Sequence, residues 1–161
     1  MAVLISIHSK WVDKIAAGRK TIEVRKTRPK IETPFKCYIY CTQSGKYCGG
    51  KTVKNIWINR GTENRFIGNG KIVAEFICNN IYTVENRGSR FAIGNEIAIT
   101  NKVAKASCIA FDDMKQYAGN RNVLYAWHIS DLKIYDEPKE LSDFGLKRPP
   151  QSWCYVKGEQ K

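Results

Sequence analysis

The sequence predicts a single α+β domain in which strands outnumber helices. Runs rich in β-branched and aromatic residues recur from end to end, at 3–7, 35–41, 71–78, 124–129 and 152–156. Helical signals are few and short, from Ser9 to Ala17 and from Asp112 to Ala118. At 161 residues, with 43% hydrophobic and 26% charged side chains, the chain suits one core spanning 1–161.

In chain order, Val3 to Ile7 is a mostly apolar strand. Ser9 is placed to cap the helix that follows, with Asp13 in its first turn, Trp11, Val12 and Ile15 facing in, and Lys10 and Lys14 facing out. Gly18 suits the left-handed residue that stops this helix. Thr21 to Arg25 then alternates, with Ile22 and Val24 on a core face and Thr21, Glu23 and Arg25 on the other. Pro29 and Pro34 make 27–34 an extended connection.

In Phe35 to Cys41 the alternation places Cys37, Ile39 and Cys41 on one face and Tyr38 and Tyr40 on the other. Regular patterning then fails from Gln43 to Gly70, which reads as a long loop or hairpin insertion at 43–70. Within it, Gly49-Gly50-Lys51-Thr52 lacks the leading glycine of a phosphate loop.

Patterning resumes at Lys71 to Cys78, where Val73, Glu75 and Ile77 share one face and Ile72, Ala74, Phe76 and Cys78 the other. Glu75 among apolar neighbours is either exposed or in need of a partner, for which Lys20 or Arg25 is the natural candidate. Residues 83–95 read as a surface connection, and 96–108 fit strand and helix equally well. The 112–118 helix stops at Gly119. In 124–129, Leu124, Ala126 and His128 share one face and Tyr125, Trp127 and Ile129 the other, and Pro149-Pro150 turns the chain into the closing strand.

The charge balance is strongly basic, with 27 Lys and Arg against 15 Asp and Glu, a net charge of +12 and a pI near 9.5. Such an excess attracts polyanions and supplies the salt-dependent part of nucleic-acid affinity, without fixing a sequence preference. Ala2 to Ile7 is too short for a signal peptide, and no apolar run reaches membrane-spanning length, so no membrane partner and a cytoplasmic location are expected. Cys37, Cys41, Cys48, Cys78, Cys108 and Cys154 are then expected to be thiols. Together with His8 and His128 they make no zinc spacing, and no cofactor motif is present, so neither a metal nor a cofactor is expected.

One stretch concentrates chemistry. From Ala16 to Lys30, AAGRKTIEVRKTRPK carries Lys20, Glu23 and Arg25 into one small region and continues as the densest basic run in the chain. A carboxylate and a guanidinium two residues apart, with a lysine at the preceding turn, can bind an anion or a base edge or move a proton. Spacing alone favours a plainer arrangement, a solvated strand face on which Glu23 and Arg25 offset each other.

Gly18-x-Lys20-x-x-Glu23-x-Arg25 is similar to the G-x-K-x-x-E-x-R signature of the ASCH domain family. The tail, YAWHISDLKIYDEPKEL and later RPPQSWCYV, resembles ASCH proteins of phage and prophage type. The resemblance implies a small PUA-like mixed β-barrel with a few flanking short helices, and a cleft beside the signature strand. It further implies an RNA or modified-nucleoside partner, held by Lys20, Glu23 and Arg25, with Thr21, Glu75, Trp127 and Trp153 as weaker additions. Tryptophans beside cations suit stacking on a base.

Some ASCH-like proteins hydrolyse the amide of N4-acetylcytidine and others resemble ribonucleases, and a hydrolase of either kind would make Lys20 and Glu23 the catalytic pair. The amidohydrolase branch shares G-R-K-T-I with this chain but has threonine where Glu23 stands. A phage accessory protein that binds a host protein through its basic surface is a third alternative.

Overall fold

The computed structural model describes residues 1–43, 57–60 and 64–158. Among these the chain runs β1 (Ala2–Ile7), α1 (Ser9–Ala16), β2 (Ile22–Arg25), β3 (Phe35–Cys41), β4 (Trp57–Arg60), β5 (Asn64–Ile67), β6 (Ile72–Cys78) and β7 (Ile81–Asn86). It continues with β8 (Phe91–Ala92), α2 (Ile97–Ser107), α3 (Phe111–Ala118), β9 (Val123–His128), β10 (Ser130–Lys139), a 3-10 turn (Leu141–Phe144) and β11 (Trp153–Val156). The fold is mixed α+β, as predicted.

The strands form two main sheets. Sheet one has the order β10-β6-β3-β1-β11, with β1 and β3 parallel, and sheet two has the order β2-β9-β7-β8. β4 and β5 pair with each other antiparallel inside the 43–70 segment, and Gly49-Gly50-Lys51-Thr52 and Cys48 lie outside the described residues.

The layering explains which faces are buried. Val3, Ile5, Ile7, Cys37, Ile39, Phe76 and Cys78 of sheet one pack with Val12 and Ile15 of α1, with Trp127 of sheet two and with Ile129 just beyond it. Leu4, Tyr38, Tyr40 and Tyr135 on the outer face of sheet one are covered by Phe144 of the 3-10 turn. On the outer face of sheet two, Ile22, Val24, Leu124 and Ala126 meet Val103 of α2 and Met114 and Ala118 of α3. Period-two alternation in β3 and β9 therefore assigns faces correctly, because those strands are covered on both sides.

Several local expectations need correction. His8, not Ser9, caps α1, its ring accepting from the Lys10 amide, and Asp13 falls beyond the first turn. A register shift between Ile39 and Tyr40 bulges β6, so Val73 joins the inter-sheet core and Ile72 the outer one. Residues 83–86, the end of β7, and 91–92 are strand rather than surface connection, and 97–107 is helical. β10 gave no alternation to read because two register shifts interrupt it, leaving Ile134 41% exposed and Tyr135 7% exposed. Gly18, at φ +68°, does end the α1 segment as expected.

Candidate functional site

Because α2 and α3 take the apolar face of β2, its polar face has only the inter-sheet interior to enter. All of β2 is buried, and Lys20, Glu23 and Arg25 are 1%, 4% and 8% exposed. The solvated strand face that spacing favours is overturned here.

The three side chains touch. Lys20 Nζ donates to the Ser107 carbonyl at 2.6 Å and lies 3.2 Å from Glu23 Oε2. That approach makes an ion pair, and Oε2 has no other hydrogen-bond donor among the described residues. Arg25 pairs through Nη1 with Glu23 Oε1, and also donates to the Val24 carbonyl at 2.9 Å and, through Nη2, to the Ser6 carbonyl of β1 at 2.7 Å. One carboxylate thus serves two cations in a place where water does not screen them.

Burial lowers the Lys20 ammonium below its usual pKa, Glu23 opposes that shift, and the Arg25 charge adds to it. A lysine destabilised as a cation is easier to deprotonate than a surface one.

Other groups complete the surroundings. Trp127 lies directly opposite Glu23 in the β2–β9 ladder and is fully buried. Its indole Nε1, like Arg25 Nε and the Ser9 hydroxyl, has no hydrogen-bond partner among the described residues. Buried polar atoms are seldom left so, and Arg25 Nε belongs to the ion cluster itself while Trp127 sits across the ladder from Glu23. Trp11 borders Lys20, whose ammonium is 5.0 Å from the ring centre, with those of Lys10 and Lys14 at 4.5 and 5.0 Å. Tyr117 of α3 adjoins Arg25; burial pushes its hydroxyl up, Arg25 opposes this and Glu23 adds to it.

The sequence-predicted residues separate into two groups. Lys20, Glu23, Arg25 and Trp127 come together, Trp153 packs against Trp127 with ring centres 5.9 Å apart and planes tilted by 57°, and Thr21 sits half-buried just before β2. Glu75 does not join them. It projects from the outer face of sheet one, accepting from Tyr135 Oη at 2.6 Å and Lys36 Nζ at 3.2 Å, so neither Lys20 nor Arg25 is its partner. Burial would raise the Glu75 carboxyl, but those hydrogen bonds and the charges of Lys36 and Lys133 bring it below the usual value. His128 holds Asn79 Oδ1 at 2.7 Å through Nδ1.

Sequence reasoning missed Ser6, Ser107 and Tyr117. The two serines act through backbone carbonyls, for which residue type carries no signal, and Tyr117 lies on the 112–118 helix, where no site residue was expected.

Comparison with known proteins gives a consistent picture. A family model described as ASCH domain matches residues 5–86. The chain is similar to the crystal structure of ASCH from Zymomonas mobilis, with a TM-score of 0.66 at 14% identity over 97% of this chain and 87% of that one. A single-substitution variant from the same organism gives a TM-score of 0.67 at 13% identity, covering 99% and 90% of the two chains. No curated protein matches. No helix among the described residues is long and apolar enough to cross a membrane.

Proposed function

Given that the chain belongs to the ASCH domain family, we propose that it binds RNA or a modified nucleoside at the Lys20–Glu23–Arg25 cluster, between two sheets that together make the PUA-like barrel. The observation that carries this reading is the buried ion cluster, in which Arg25 Nε and, across the ladder from Glu23, the Trp127 indole Nε1 have no hydrogen-bond partner among the described residues. Two cations against one carboxylate leave an uncompensated positive charge, which a phosphate or an electron-rich base edge would neutralise. Arg25 Nε and the Trp127 indole offer donors to base acceptors, and Glu23 Oε2 accepts from a base amino group. The net charge of +12 supplies the long-range attraction. Since Lys20 is only 1% exposed, a ligand reaches the cluster by displacing the bordering Trp11 and Tyr117 side chains.

The lowered pKa of Lys20 favours one second reading, a hydrolase of a nucleic-acid component in which the free amine activates the attacking group and Arg25 steadies the oxyanion. Comparing wild type with Lys20→Met separates the two. Salt-sensitive RNA binding that the substitution weakens, with no turnover of acylated cytidine or RNA by mass spectrometry, supports the binding protein. Turnover lost in the variant replaces it with the hydrolase, and neither binding of RNA or nucleoside nor turnover in wild type removes both.

A further inference from the structure

The aromatic residues beside Glu23 continue to the surface. Trp127 faces Glu23, its ring lies 5.9 Å from that of Trp153, and Trp153 lies 5.4 Å from Tyr155. Exposure rises along the series, from 0% at Trp127 through half-buried Trp153 to 41% at Tyr155. The cause is topological: Trp153 and Tyr155 are two apart on β11, so they share a face, and β11 is the last strand of sheet one.

The basic connection after β2 crosses these rings. Trp153 Nε1 donates to Thr27 Oγ1 at 3.0 Å, and the Lys30 amide donates to Tyr155 Oη at 2.7 Å. These two bonds pin Thr27 and Lys30 to the aromatic row, and none of Lys26, Arg28 and Lys30 on this connection has a carboxylate partner among the described residues. Lys26 Nζ instead lies 5.0 Å above the Tyr117 ring, at the border of the ion cluster.

We infer that Trp153 and Tyr155, with Lys26, Arg28 and Lys30, form a track that takes the nucleotides flanking the one bound at Lys20, Glu23 and Arg25, so that the ligand is a single-stranded RNA rather than a free nucleoside. This rests on the binding reading of that cluster. A free nucleoside would engage the buried cluster alone, whereas exposed rings leading away from it, with unpaired cations alongside, suit successive unstacked bases and their phosphates. A duplex keeps its bases inside and cannot offer them to the rings.

Fluorescence anisotropy on the full chain tests this, with a labelled mixed-sequence single-stranded RNA, its duplex, and the four nucleoside monophosphates as competitors. Tyr155→Ala is expected to weaken binding of the single strand by about ten-fold or more. Tyr155→Phe keeps the ring and loses only the bond to the Lys30 amide, so it should stay within about two-fold, a result that loss of fold or of a tether would not give. Arg28→Ala should lower the slope of log affinity against log salt by about one, and the duplex should bind more weakly than the strand. Wild-type affinity in Tyr155→Ala overturns the track, as does displacement of the strand by a monophosphate at equal concentration. If Lys20→Met weakens binding in that case, the cluster reading survives alone; if it does not, or if wild type binds neither RNA nor a nucleoside, both fall.

Discussion

Glu23 and Glu75 are both strand carboxylates flanked by cations, yet the two sheets place them in opposite circumstances. Glu75 lies on the outer face of sheet one, with its side chain 20% exposed, beside a Lys36 side chain that is 43% exposed, and both of its oxygens accept hydrogen bonds. Glu23 lies between the sheets, 5% exposed at its side chain, ion-paired to two cations that are 0% and 10% exposed, and one of its oxygens accepts no hydrogen bond. Similar residue types thus yield a solvent-screened network in one place and an electrostatically incomplete one in the other. The difference lies in what covers the strand, and only the incomplete network has something to gain from a ligand.

The largest test of this contrast is Glu23→Gln. It leaves Lys20 and Arg25 buried without a counter-charge, and breaking a buried network in this way costs about 3–5 kcal/mol. Urea denaturation should register it directly. A loss no larger than that of a surface pair would mean that water reaches the cluster, and the contrast would collapse.

Lys20→Met should cost less, about 1–3 kcal/mol, the range for leaving one buried polar group unpaired. The Ser107 carbonyl loses its donor, but Arg25 still balances Glu23. The same variant isolates a pH effect. With its pKa lowered in the folded chain, Lys20 binds fewer protons folded than unfolded over the interval between that lowered value and 10.5. Wild type should therefore gain stability relative to Lys20→Met as pH rises through that interval, and level off above it. Parallel denaturation curves at all alkaline pH values would show that burial does not perturb the lysine.

The contrast also marks what the sequence could reveal. The alternation of β3 and β9 assigned their faces, and Gly18 marked the end of the helical segment, because each depends on neighbouring residues alone. That Lys20, Glu23 and Arg25 belong together was legible in their spacing; that they are buried was not. Burial follows from α2 and α3 covering Ile22 and Val24, a long-range event, and 96–108 reads equally as strand or helix. Ile81 to Val84 did carry a β-branched and aromatic run that could have identified β7. By contrast, β10 hid behind its bulges, and with it the Tyr135 hydroxyl that takes Glu75 away from Lys20 and Arg25.

The smallest effect belongs to Glu75→Gln. Hydrogen bonds from Tyr135 and Lys36 hold the Glu75 carboxyl below its usual value, so they stabilise the fold above the unfolded carboxyl pKa and are lost as pH falls through the lowered one. Exposure discounts that contribution: Lys36 is 43% exposed at its side chain, and pairs of this kind are worth about 1 kcal/mol or less. Glutamine still accepts from Tyr135 and loses only the ionic part, which added salt should remove from wild type as well. Denaturation of Glu75→Gln at low and high salt is therefore expected to converge on wild type as salt rises, while Glu23→Gln stays apart from it under both conditions. Convergence of both variants would mean that depth in the fold does not distinguish the two carboxylates, and a ligand at Glu23 would lose its electrostatic basis.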